Sequence, residues 1–211
     1  MTKDLIALVA DNDMHLGLKA ILSRRESLRI REVRFDVRTH PEHDPGCRLK
    51  SAEFLRSFQA QYAFAIVLFD REGCGATGSR AALETEVESQ LSRNGWGNRS
   101  TAIVIDPELE AWVWSDSPNL KQILGWKADD PTPLPDWMDQ VGFPISGDCQ
   151  KPSRPKEALL AALRKAGKAR SASLYAQVAQ SVGLDRCTDP AFLKLKTTLQ
   201  GWFGLPTAKA D

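Results

Sequence analysis

Residues 64–73, FAIVLFDREG, form an apolar run that stops abruptly on Asp70 and Glu72. A half-exposed strand would alternate apolar with polar residues. This run is continuously apolar and rich in β-branched and aromatic types, so it reads as a strand covered on both faces. Such strands lie in the middle of parallel sheets, and in an open α/β sheet the loop beyond a strand's carboxyl end faces the crevice where ligands bind. Two further runs end in the same way. Residues 5–10, LIALVA, lead into Asp11, Asn12 and Asp13, and residues 101–105, TAIVI, lead into Asp106, Pro107, Glu108, Leu109 and Glu110. If the three strands are parallel, their acidic tips converge on one edge.

Outward from this core, residues 14–25 and 51–62 place apolar side chains at helical spacing, the first behind the N-cap candidate Asp13. Residues 79–93 repeat the pattern with Leu83, Val87 and Leu91. Residues 28–38 alternate and read as a strand with one wet face near the sheet edge, and residues 39–50 read as a Pro/Gly/His loop. The alternation of strand and helix predicts right-handed βαβ units and an α/β fold, a Rossmann-like, largely parallel sheet flanked by helices. Asp106 is expected to cap a helix whose first position is Pro107. In that place Glu108 and Glu110 would favour the helix dipole, an alternative to a chemical role. Residues 127–150 are rich in proline, glycine and aspartate and read as an irregular connection. Beyond it, helices are expected over 155–166, 173–182 and 190–203, the last with Phe192, Leu195, Leu199 and Phe203 as an apolar stripe. The chain thus divides into an α/β domain at 1–126, the connection at 127–150 and a C-terminal helical region at 151–211 packed on the sheet domain.

The composition, 42% hydrophobic and 26% charged over 211 residues, is that of a globular chain able to bury a core. With 28 basic and 27 acidic residues, the net charge of +1 selects no class of partner. No apolar run is long enough to cross a bilayer, so no membrane partner is expected. The opening MTKDLIALVAD reaches an acid too soon for a secretion signal, so a cytoplasmic location is expected. Cys47, Cys74, Cys149 and Cys187 form no CxxC pair, which fits free thiols better than a disulfide frame.

The acidic edge is the sharpest chemical feature. Asp11, Asp13, Asp70, Glu72, Glu108 and Glu110 are candidate ligands for Mg²⁺ or Mn²⁺, hard cations that prefer carboxylate oxygens and can stabilise charge on a phosphoryl group. Acidic caps and solvated loop ends are the alternative explanation.

The acidic turn after the first strand, the DxE at Asp70 and Glu72, and the block PELEAWVWSD resemble TOPRIM-like proteins found in bacterial defence loci. The likeness covers about the first 120 residues, the size of one domain. Its best block is Pro107, Glu108, Glu110, Ala111 and Trp112, shared with small TOPRIM-related proteins, and it extends to components of methylation-associated phage-defence systems. The resemblance implies a Mg²⁺-dependent nuclease or phosphoryl-transfer protein acting in antiviral defence, with DNA or RNA as substrate and other proteins of the same system as partners. It implies catalytic roles for Asp11, Asp70 and Glu72. The sequence departs from the family in having Asp11 where a glutamate acts as general acid or base, and DxE where a DxD binds Mg²⁺. A shorter acid can misplace a proton-transfer group. A catalytically degenerate subunit that binds a defence partner is therefore the competing reading.

Three weaker features remain. His40, His43 and Cys47 have spacing that could supply half of a zinc site, against a polar turn around Pro41, Pro45 and Gly46, and Asp44 could belong to either that turn or the acidic edge. Lys151, Arg154, Lys156, Arg164, Lys165 and Lys168, followed by Arg170, form a basic strip opposed only by Glu157, suited to nucleic-acid phosphates or to a solvated helix face. The six tryptophans read first as buried anchors. No GxSxG, P-loop or GxGxxG pattern occurs.

Overall fold

The computed structural model describes residues 2–114, 117–146 and 151–205. The elements follow in the order β1 (Lys3–Val9), α1 (Asn12–Leu22), α2 (Arg25–Leu28), β2 (Phe35–Thr39), α3 (His43–Leu55), β3 (Tyr62–Asp70), α4 (Arg80–Leu91) and β4 (Ser100–Ile105). The second half contains α5 (Glu110–Val113), α6 (Leu120–Ile123), α7 (Leu134–Gln140), β5 (Ile145–Ser146), β6 (Lys151–Pro152), α8 (Pro155–Ala166), α9 (Ala172–Ser181) and α10 (Pro190–Phe203).

Four strands make an all-parallel sheet in the order β2-β1-β3-β4. The continuous apolar runs are its two inner strands, and residues 5–9 and 65–69 have no solvent exposure. The strand order reverses between β1 and β3. Right-handed crossovers then place α1 on one face and α3 with α4 on the other. In keeping with this, α3 packs on α4 and α1 packs along α9. The topological switch point, where ligands of open α/β sheets bind, lies between the carboxyl ends of β1 and β3.

Several boundaries differ from the sequence reading. The alternating segment 28–38 is a strand only over Phe35–Thr39. Arg29 adopts a left-handed backbone, φ 57°, which ends α2 and breaks the run, and Ile30 instead bridges antiparallel to Gly204. Most of the expected loop at 39–50 is the first part of α3, which begins at His43. Pro45 lies in that helix's first turn, where a missing N–H is no loss. Gly46 is required by its neighbour, since a Cβ there would stand 2.0 Å from His40 Nδ1. The connection 127–150 contains α7 and, at Ile145–Ser146, one strand of the small antiparallel pair β5–β6. Cys149 lies outside the described residues.

β4 is an edge strand, and α4 closes its open side. Glu88 and Glu84 accept the outward N–H groups of Ala102 and Val104, each at 3.1 Å, and so remove the donors that another strand could use. Lys194 of α10 pairs with Glu84 at 3.1 Å and with Glu88 at 2.7 Å.

The C-terminal helices complete the other face. Arg24 caps α9 by donating to the carbonyls of Ala179 and Val182 at 2.8 and 2.6 Å. The stripe Phe192, Leu195, Leu199 and Phe203 of α10 is buried, and Phe64 of β3 stacks on Trp202 with ring centres 4.5 Å apart. Asp189 caps α10 by accepting from the backbone N–H groups of Ala191 and Phe192, and it also accepts from Trp112 Nε1 at 3.0 Å. Trp96, Trp114, Trp126 and Trp137 are buried anchors. Among the described residues, no helix is long and apolar enough to cross a membrane.

Candidate acidic site at the switch point

Val9 stands beside Leu68 in the sheet, so Asp11 and Asp70, each two residues farther on, emerge next to one another. Asp11, rather than Asp13, is the N-cap of α1; its Oδ1 accepts from Met14 N at 2.8 Å. Asp70 is the last residue of β3. Its Oδ1 is shielded from solvent and has no hydrogen-bond partner among the described residues. Burial pushes the Asp70 carboxyl well above the usual range, and the negative charges of Asp44, Glu110, Asp11 and Glu108 push it further.

Asp44 belongs to this edge and not to a turn. From the first turn of α3 its Oδ1 accepts the backbone N–H of Asp70 at 2.8 Å. Burial raises its carboxyl above the usual range despite the hydrogen bonds it accepts.

After β4 the chain does not start a helix at Pro107. The Asp106–Pro107 peptide is cis, Asp106 pairs with Arg71 at 2.6 Å instead of capping, and α5 begins only at Glu110. Glu72 N donates to the carbonyl of Pro107 at 2.9 Å, which ties the loop after β3 to the loop after β4. Glu108 and Glu110 are both buried. Glu108 accepts from the backbone N of Lys156 at 3.2 Å and pairs with its Nζ at 3.3 Å, at the positive end of α8. Burial raises the Glu108 carboxyl, repulsion from Glu110 adds to this, and Lys156 opposes it. Glu110 accepts from Tyr175 Oη at 2.7 Å and forms an ion pair with Arg170 Nη2 at 2.9 Å. The same Nη2 lies 2.6 Å from Asp13 Oδ2, while Arg170 Nε donates to Tyr175 Oη at 2.8 Å. The Asp13 carboxyl is raised by burial, with Arg170 pulling the other way.

The structure thus brings Asp11, Asp13, Asp70, Glu108 and Glu110 together and adds Asp44, Arg170 and Tyr175. Glu72 is exposed at the rim, and its side chain makes no hydrogen bond or ion pair among the described residues. The basic strip does not form. Lys156 faces the acids, whereas Lys165, nine residues on and half a turn round the helix, pairs with Asp130 at 3.0 Å and lies 3.9 Å from the Trp126 ring centre. Lys151 donates to the carbonyl of Ala111, Arg154 to Gly142 at 3.3 Å and Lys168 to Ile123 at 2.5 Å, while Arg164 is exposed. The His/Cys group is also dispersed. His40 Nδ1 accepts from Glu42 N at 3.0 Å, His43 Nδ1 lies 3.1 Å from the Ala10 carbonyl, and burial pushes the Cys47 thiol up.

Among the described residues, no three His, Cys, Asp or Glu side chains are gathered tightly enough to hold an ion as they stand. Mg²⁺ retains several waters and is commonly held by only one or two carboxylates. The partnerless Asp70 oxygen beside Asp11 fits that demand. Next to the acids, a cavity of about 760 Å³ lies between α1, α9 and α10, lined by Leu18, Ile21, Trp112, Val178 and Phe192 and sharing Tyr175 with the site.

Compared with protein-family models, with curated proteins and with solved structures, the chain shows no significant match.

Proposed function

We propose that the chain is a TOPRIM-like, Mg²⁺-dependent phosphoryl-transfer protein, a nuclease acting on DNA or RNA in bacterial antiviral defence. The observation that carries this reading is the shielded Oδ1 of Asp70, without a partner among the described residues and set among Asp11, Asp44, Glu108 and Glu110. A carboxylate in such surroundings needs a proton or a cation to neutralise it. Asp70 and Asp11 would hold Mg²⁺ or Mn²⁺, with water and the adjoining Asp13 and Glu110 completing its surroundings. Once bound, that ion supplies stabilisation of the charge that develops on a phosphoryl group. Asp44 positions Asp70 through its backbone, and Lys156 and Arg170 supply positive charge at the margin. The block from Pro107 to Trp112 supports the family assignment, with Asp11 in place of the family's glutamate.

Incubation of the purified chain with single-stranded DNA, duplex DNA and RNA in Mg²⁺ or Mn²⁺ tests the reading. Cleavage that EDTA abolishes, and that Asp70→Asn lowers by about 100-fold or more, is expected, since removal of one group stabilising transition-state charge costs that much. Absence of cleavage of every substrate, alone and with the products of neighbouring genes, overturns it.

A second reading, a catalytically degenerate subunit in a multi-protein defence complex, is favoured by the cations already paired with Glu108, Glu110 and Asp13. It requires that Asp70→Asn leave defence intact in the host, and that the tagged full chain recover a stoichiometric protein partner.

A further inference from the structure

We propose that Arg170 is a displaceable counter-ion of this site. It holds Asp13 and Glu110 while no divalent cation is bound, then yields them to the cation and turns to a phosphate oxygen of the substrate. The inference rests on the reading of the site as a cation-dependent phosphoryl-transfer centre.

Four observations carry it. First, a single nitrogen, Nη2, serves both carboxylates, at 2.6 Å from Asp13 and 2.9 Å from Glu110, so the guanidinium occupies the place between them that another cation would take. This accounts for acids that share one edge yet do not converge on a common point. Second, departure of Arg170 leaves the buried carboxylate of Glu110 still hydrogen-bonded, with the incoming cation replacing the lost charge. Glu110, only 2% exposed, keeps the hydrogen bond from Tyr175 to the same Oε1 at 2.7 Å. Third, the arginine side chain is 34% exposed and stands in the short connector between α8 and α9, just after Gly167 with its φ of 64°. It can therefore leave without unpacking a helix, whereas Lys156 is bound to Glu108 through its helical backbone N–H as well. Fourth, the planar guanidinium matches phosphate oxygens, which a lysine does not do in the same bidentate way.

Titration of the full-length chain with Mn²⁺, followed by electron paramagnetic resonance or calorimetry, tests the first half. With the competitor removed, R170M is expected to bind Mn²⁺ about 5-fold or more tighter than wild type, the lower end of ordinary coupling between sites. Equal or weaker binding by R170M overturns the displacement while leaving the metal reading standing. No Mn²⁺ binding by either protein overturns both. Inorganic phosphate titrated into the Mn²⁺-loaded proteins tests the second half: binding to wild type and loss in R170M is expected, and equal binding removes the phosphate role. Thermal melts in EDTA report whether R170M is folded. Should it not be, R170Q, which keeps a polar side chain there but carries no charge, takes the same comparison, with Mn²⁺ affinity above that of wild type expected and an unchanged affinity overturning the proposal.

Discussion

The backbone N–H of Asp70 donates to Asp44 Oδ1 across 2.8 Å, so the first turn of α3 fixes the last residue of β3. Asparagine at position 44 retains the accepting oxygen and deletes a charge that repels Asp70. In EDTA at neutral pH, Asp44→Asn is expected to raise Tm by about 2–4 °C, the equivalent of about 1 kcal/mol in a chain of this size. Asp44→Ala loses the hydrogen bond and is expected to cost about 1 kcal/mol. Denaturant melts of the two variants against wild type give both numbers.

The raised carboxyl of Asp70 makes stability depend on pH in an unusual direction. The native state keeps a proton that the unfolded chain has already lost, so stability falls as pH rises from about 4, the unfolded value, through the raised native value. Asp13, Asp44 and Glu108 shift the same way and reinforce the fall. In EDTA, Tm is expected to drop between pH 5 and pH 8, Asp70→Asn to shrink the drop, and Mg²⁺ to restore Tm at pH 8. A profile that is identical in wild type and Asp70→Asn would refute the assignment to Asp70.

Gly46 is packed under His40, and a methyl group there would meet Nδ1 at 2.0 Å, Cε1 at 2.3 Å and Glu42 Cβ at 2.8 Å. Gly46→Ala is expected to destabilise by about 1–3 kcal/mol through overpacking. Because the clash is chiefly with one ring, Gly46→Ala combined with His40→Ala is expected to cost less than the sum of the single changes. Equilibrium unfolding of all three variants measures that coupling.

Glu84, 4% exposed, holds the open edge of β4 and is paired with Arg80 at 2.6 Å and Lys194 at 3.1 Å. Glu84→Ala strands the Val104 N–H and takes the carboxylate from Arg80, while Lys194 keeps Glu88, for an expected loss of about 2–3 kcal/mol. It also frees one strand donor, so light scattering at raised concentration is expected to show self-association that wild type lacks.

The sheet was legible because strands covered on both faces leave an uninterrupted apolar run, as in FAIVLF, and α10 was legible from Asp189 followed by Pro190. The start of α3 was hidden because proline, glycine and histidine at 40–46 look like a turn, although a helix's first turn tolerates them. The convergence of Asp11, Asp70 and Glu110 followed from parallel strands. The company that Glu110 keeps did not, since Tyr175 lies 65 residues away and comes to it only by tertiary packing. Helical spacing in α8 already separates Lys156 from Lys165, so the apparent basic strip was a feature of the linear chain and not of its surface.

β4 ends at Ile105, but the helices that cover the α1 side of the sheet, α9 and α10, are drawn from residues 172–203. A ribosome adding about 5–20 residues per second therefore leaves a finished sheet with a bare oily flank for several seconds. In that interval Asp11, Asp44 and Asp70 are already in place, while Lys156 and Arg170 have not yet emerged. The nascent chain passes through a sticky and negatively charged stage, and chaperone dependence of its production is the outcome to look for.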